Sequence, residues 1–202
     1  MYELPHTPDI LSAFGSLITG VAALAGATIA GFGLDRWKKQ RKWEQEDELA
    51  RRLFVGFRKR YDAFKGVRGA FFFAGELAKA KRELEDVGTE YDDTTEGATI
   101  IRWQRLERIR DEQYGDIIES AALWGVEIET LEAELLRIEQ RVLLAQQEYY
   151  QLNKDRSTPD ARRSLPEVAR VAFSSAEDPT HEEYEKVIGD VRQILVRRMD
   201  RK

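Results

Sequence analysis

The 202-residue chain has no cysteine, which excludes disulfide scaffolds and thiolate chemistry and permits a reducing compartment. Two histidines, His6 and His181, leave little material for histidine-based catalysis, and a net charge of −5 is not that of a general nucleic-acid binder. Charged residues make up 34% of the sequence although one long stretch carries none, so the remainder must be very polar.

Residues 1–9 contain only Glu3 and Asp9 as charged side chains. From Ile10 to Leu34 run 25 residues without a charge. As an α-helix this run is roughly 37 Å long, more than the ~30 Å hydrocarbon core of a bilayer. The expectation is one somewhat tilted transmembrane helix over 10–34. Counting in sevens, Ser12, Ser16, Thr19, Ala23, Gly26, Ala30 and Gly33 form a stripe of small residues, while Ile10, Phe14, Leu17, Val21 and Leu24 lie opposite. Gly15, Ala23, Gly26, Ala27 and Ala30 would let another helix approach closely. With a single span the partner helix comes from another molecule, so a homo-oligomer is expected. In a ring of such helices Ser12, Ser16 and Thr19 are candidates to line a narrow polar passage; the plainer reading is tight packing, their hydroxyls bonded one turn back. The competing readings are a signal peptide and a buried helix of a soluble protein. The first lacks a basic n-region and has an apolar stretch far beyond the usual ~7–15 residues.

Residues 35–48 form a basic juxtamembrane helix. Arg36, Lys38, Lys39, Arg41 and Lys42 follow the span, which by the positive-inside rule puts the C-terminal domain in the cytoplasm and the short N-terminus outside. Trp37 and Trp43 suit the headgroup layer. All seven residues are expected to contact lipid, each cation contributing about 1 kcal/mol at an anionic leaflet. RNA contact is the alternative.

Residues 49–202 read as a cytoplasmic helical bundle. Leu49, Leu53, Phe57, Tyr61 and Phe64 recur at helical steps, with Arg51, Arg52, Arg58, Lys59 and Arg60 between them, expected on solvated, salt-bridged faces. Gly66 and Gly69 predict a corner before Phe71-Phe72-Phe73. Three consecutive aromatics cannot all face one core, so these three are candidates for an intersubunit or membrane-surface interface. Residues 86–99 read as a loop, and a helix is predicted from about Ile100, with Ile101, Leu106, Ile109, Tyr114, Ile117 and Ile118 as its apolar face. Trp124-Gly125 marks a break or kink. The clearest helix runs from Val126 to Leu152, with Ile128, Leu131, Leu135, Ile138, Val142 and Ala145 near heptad spacing. A polar linker is predicted at 153–164, a short helix after Pro166, and a final helix after Asp178-Pro179-Thr180. No window alternates with period two long enough to need a strand. The fold class is all-α: one N-terminal transmembrane helix followed by a bundle of four or five helices.

Catalytic signals are sparse. Asp178-x-x-His181 resembles half of a carboxylate-bridged di-metal motif, but a complete site needs a second such pair and two further acids, so a helix start is the simpler reading. No Arg stands at the short spacing before His181 that helical-bundle ribonucleases use, and no Gly-rich phosphate loop or nucleophile elbow occurs. No catalytic, cofactor-binding or metal residue is assigned, and no small-molecule substrate is evident.

The stretches Gly33-Leu34-Asp35-Arg36-Trp37-Lys38-Lys39-Gln40, Glu48-Leu49-Ala50-Arg51-Arg52-Leu53, Tyr61-Asp62-Ala63 and Ala122-Leu123-Trp124-Gly125 resemble a family of single-span bacterial proteins of unassigned function. The architecture is also similar to that of small membrane accessory proteins of RNA-targeting CRISPR systems. That resemblance implies an oligomeric pore that depolarises the membrane during phage defence. The expected function is therefore a homo-oligomeric, inner-membrane-anchored pore-forming or membrane-perturbing effector. The alternative is a non-conducting membrane adaptor recruiting a protein or RNA partner. An enzyme with an unrecognised carboxylate site is a third, weaker reading.

Overall fold

A computed structural model describes the backbone of residues 7–86, 94–175 and 177–200, with the side chains of 7–27, 29–33, 35, 83–86 and 94 outside the described set. Among the described residues there are six helices and no strand: α1 (Thr7–Arg68), α2 (Ala74–Asp86), α3 (Thr94–Trp124), α4 (Glu127–Lys154), α5 (Pro159–Ala172) and α6 (Pro179–Met199). The chain divides into two units, Met1–Glu46 and Asp47–Lys202.

In the first unit, the side chains expected to pack or line a membrane passage lie outside the described residues: Ser12, Gly15, Ser16, Thr19, Ala23, Gly26, Ala27 and Ala30. Among the described residues no helix is long and apolar enough to cross a membrane. Arg36 to Trp43 are all exposed. The Trp37 ring carries the Arg41 guanidinium 4.8 Å from its centroid, one helical turn on.

The second unit is a helical bundle. Leu49, Leu53, Phe57, Tyr61, Phe64 and Val67 of α1 form the buried stripe that the sequence pattern predicts. They meet Trp103, Leu106 and Ile117 of α3, Ile128, Leu135, Ile138 and Val142 of α4, and Tyr184, Val187, Val191 and Leu195 of α6 in one core. The Phe64 and Tyr184 rings stack with centroids 4.0 Å apart. α2 packs on α3, and α4 packs on α3, α5 and α6.

Four boundaries and faces differ from expectation. α3 starts at Thr94 rather than about Ile100, because its polar first turns find partners: the Thr99 hydroxyl bonds back to the Thr95 carbonyl (2.9 Å) and lies 2.7 Å from the Tyr150 hydroxyl. On α3, Leu106 and Ile117 are buried, but Tyr114 and Ile118 face solvent at 62% and 53% exposure. The linker expected at 153–164 shrinks to a turn, since Thr158 caps α5, accepting from the Ala161 amide with Pro159 in the first turn; Pro166 lies inside α5. Among the described residues five helices follow α1, within the expected four or five. At Gly125 the α3–α4 break is real: φ is +87°, the left-handed region that glycine enters without a Cβ penalty.

Candidate functional site

Polar side chains occupy the centre of the bundle at regular intervals. Glu132, Glu139 and Gln146 stand seven residues apart on α4, all facing inward. Facing them from α1 is Arg60, fully buried, where sequence reasoning expects a solvated face. Its guanidinium forms a bidentate pair with Glu139 (Nε–Oε1 2.8 Å, Nη2–Oε2 3.0 Å) and a third bond to Glu132. Tyr184 of α6 donates to Glu139 at 2.8 Å.

These contacts set the electrostatics. Burial opposes the charge on Arg60, yet the Glu139 carboxylate outweighs it and holds the guanidinium above its ordinary range. Burial pushes the Glu132 carboxyl up, with Arg60 acting against that shift. Burial and the Glu139 charge push the Tyr184 phenol well up, so it stays a neutral donor. Each group is committed to another, and the cluster ties α1, α4 and α6 in one register.

A second set of buried polar groups closes the helix ends. Arg68, the last residue of α1, pairs with Asp178 (2.6 and 2.7 Å) and donates to the carbonyls of Val171 (3.2 Å) and Phe173 (2.9 Å). Asp178 also accepts from the His181 amide at 3.0 Å, capping α6. The Asp178-x-x-His181 spacing is thus built into a helix start, and the His181 ring lies 3.3 Å from the Tyr61 hydroxyl. Gln146 accepts a hydrogen bond from the Trp103 indole N–H (2.7 Å) and donates to the carbonyls of Val67 and Ala172 (both 3.0 Å). These are carbonyls that helix C-termini leave without intrahelical partners. Among the described residues no three His, Asp or Glu side chains converge as a metal-ligand set.

The third feature is the corner after α1. Arg102 of α3 reaches across it. Its guanidinium donates to the carbonyls of Gly66 (2.8 Å), Gly69 (2.7 Å) and Phe71 (2.9 Å) and pairs with both Glu76 oxygens (2.6 and 2.8 Å). The same cation lies 4.0 Å above the Phe72 ring. The corner is thereby fixed with Phe72 partly covered and with Phe71 and Phe73 held in solvent at 92% and 82% exposure. Of the three candidate interface aromatics, two are free to meet a partner.

Alongside the ionic cluster, α3 and α4 bound an open groove of about 720 Å³, lined by Tyr114, Ile118 and Leu136 with Glu132 among its walls. This volume is in the range of binding sites. A second cleft, of about 400 Å³ between α1 and α3, holds Arg51, Arg52, Lys59 and Gln113. Arg52 is drawn off to Asp116 (3.0 Å) and Glu119 (2.8 Å), and Arg51 to Asp47 (3.2 Å). The expected salt bridging of this basic helix is seen for both.

No protein-family model, curated protein or solved structure matches the chain.

Proposed function

We propose that the chain is a single-pass bacterial inner-membrane protein, N-terminus outside and bundle in the cytoplasm, that works by homo-oligomerising and perturbing the bilayer. The observation that carries this reading is the 25-residue charge-free run with its small-residue stripe, followed directly by an exposed basic segment bracketed by Trp37 and Trp43. The tryptophans are about half exposed, the state suited to a headgroup layer. Packing of the small faces brings Gly15, Ala23, Gly26, Ala27 and Ala30 against neighbouring helices. Ser12, Ser16 and Thr19 then line the passage of a pore-forming effector, and phage defence is the setting its architecture suits.

The first test is the mass of the full-length protein in detergent or nanodiscs by size exclusion with light scattering. A ring-sized oligomer is expected, and Gly26→Leu should dissociate it. Conductance in planar bilayers follows, with Ser12, Ser16 and Thr19 variants altering it. A monomer or dimer has too few helices for a passage. The second reading, a non-conducting adaptor that recruits a protein or RNA partner, is favoured by the exposed Phe71 and Phe73. It requires that membrane potential stay unchanged on expression.

A further inference from the structure

The α3–α4 groove pairs apolar walls with an excess of negative charge. Tyr114, Ile118 and Ala121 of α3 and Glu129, Glu132 and Leu136 of α4 line it, each set at helical steps of three and four. Its volume of about 720 Å³ suits a small organic molecule. Two observations fix the chemistry of such a molecule. The first is Glu132, which lines the groove although it is only 8% exposed. Its Oε2 accepts from Arg60, and among the described residues no group donates to its Oε1. Arg60 is also the bidentate partner of Glu139, so one guanidinium serves two carboxylates. An occupant that fills the groove strips water from Oε1. One without a donor leaves that oxygen buried and unpaired, a cost that works against its apolar contacts. The second observation is the sign of the charge. Glu129, one turn before Glu132 on the same wall, and Asp111 on the α3 wall are exposed and have no ionic partner among the described residues. Arg110, the cation of the wall, lies 4.0 Å from Glu139. With Arg60 and Glu139 counted, four carboxylates stand against two guanidinium groups.

We propose that the groove binds a small organic cation, an ammonium on an apolar body, with the ammonium between Glu129 and Glu132 and the body along Ile118 and Leu136. Residues three apart on a helix are neighbours about 5–6 Å apart at Cβ, so one ammonium reaches both carboxylates. It supplies the donor that Oε1 lacks, and the hydrogen bond is charge-assisted. Burial pushes the Glu132 carboxyl up, and a cation beside it acts in the opposite direction, favouring the carboxylate. An anion of the same shape meets three carboxylates in the walls, and a neutral molecule leaves the excess charge uncompensated. The exposed Tyr114 ring offers a further face to an aromatic body. The site lies within the second unit and stands independently of how the chain assembles in a membrane.

Three probes share one apolar body and differ in the head: naphthylethylamine, naphthylethanol and naphthylacetate. Each is titrated by ligand-observed NMR into full-length protein in nanodiscs of zwitterionic lipid, with empty nanodiscs as the blank for partitioning. The amine should bind saturably, one per chain, and roughly tenfold more tightly than the alcohol. The carboxylate should not exceed the blank. Glu129→Gln changes an exposed residue and should leave the circular dichroism of the fold unaltered while weakening the amine several-fold. Glu129→Gln with Glu132→Gln should bring the amine level with the alcohol. Ala133, exposed in the groove wall, gives the control for location: Ala133→Trp puts a ring into the groove and should abolish binding of amine and alcohol alike. Equal binding of amine and alcohol to the parent overturns the cation assignment. Amine binding that survives Ala133→Trp overturns its location, and the absence of saturable amine binding overturns the site.

Discussion

Replacing Arg60 by methionine should be among the most damaging single changes to the bundle. Methionine keeps much of the stem's volume, so the loss is chiefly of charge and hydrogen bonds. Arg60 is 0% exposed and supplies the cation for Glu132 and Glu139, themselves 8% and 2% exposed. Removing one partner of such a buried pair costs about 3–5 kcal/mol, because the remaining charge stays buried without compensation. Here two carboxylates are left, but Glu132 also borders the open groove and can recover some hydration. We expect about 4 kcal/mol at pH 7. For a chain of this size that is a fall in Tm of about 8–16 °C.

Urea unfolding of the full-length protein in detergent, followed by far-UV circular dichroism, measures the loss. Its pH dependence is diagnostic. Without Arg60, burial is unopposed at Glu132, whose carboxyl is already pushed up. The folded form then binds more protons than the unfolded form above the ordinary glutamate range, so stability falls as pH rises through that window. The deficit should therefore shrink towards pH 5. A control variant removes the whole network: Arg60→Met with Glu132→Leu, Glu139→Leu and Tyr184→Phe. It should be within about 1 kcal/mol of the parent or more stable, as well-packed apolar replacements of buried ion pairs often are. An Arg60→Met loss below about 1 kcal/mol, or one that grows on acidification, would refute the reasoning.

Glu132→Gln keeps the Arg60–Glu139 pair and removes a carboxyl whose folded value lies above its unfolded one. That carboxyl's contribution is fully present below the ordinary glutamate range and lost as pH rises through the folded value. Urea midpoints of the variant should therefore decline less with pH above that range than the parent's, and an unchanged slope would count against the assignment. Arg102→Met removes three carbonyl bonds and the Glu76 pair at once. Bonds to a charged donor contribute about 1.5–3 kcal/mol each, so chymotrypsin should cut at Phe71 or Phe73 at least tenfold faster; an unchanged rate would mean the corner is held by other contacts. The Glu76 carboxyl is held low by its bond to Arg102. In the parent, therefore, the lock is complete above the ordinary glutamate range and weakens as pH falls through the lowered value. Gly125→Ala places a Cβ at φ +87° and should cost roughly 1–2 kcal/mol in the same unfolding assay; no change would imply that the α3–α4 turn adjusts freely.

The apolar seams of this bundle are legible in the sequence, and so are the heptad positions of the polar residues inside them. Arg60 stands three residues after Phe57 and four before Phe64, within the very stripe that buries both. Glu132, Glu139 and Gln146 share a heptad position on α4, as do Thr99, Leu106, Gln113 and Ser120 on α3, all buried. The burial of Arg60 is not legible locally, because its partners stand more than seventy residues away. Local signals served well where the physics is local. Thr158-Pro159 and Asp178-Pro179 are cap-plus-proline starts, and Pro166 lies inside the first of the two helices. The exposure of Phe71 and Phe73 could not be read locally, because it depends on a guanidinium contributed by α3. Nor could that of Tyr114 and Ile118, whose spacing fits an apolar face that the bundle leaves open.

The buried polar groups also explain how a bundle of such similar helices settles on one alignment. A seam of leucine and isoleucine alone tolerates sliding, since one heptad of slip, about 10.5 Å, presents another apolar layer. In this chain a slip of α4 against α1 by one heptad brings Gln146 or Glu132 to the Glu139 position. With Gln146 there, Arg60 loses its bidentate carboxylate. With Glu132 there, Glu139 takes the Gln146 position, where a carboxylate can accept from the Trp103 indole but has no proton for the Val67 and Ala172 carbonyls. Each wrong register strands at least one buried polar group, at about 1–3 kcal/mol for a neutral one and more for a charge. Any ionic attraction among Arg60, Glu132 and Glu139 is largely offset by their desolvation. What remains is discrimination between registers, and the α3–α4 groove depends on it, since its walls come from both helices.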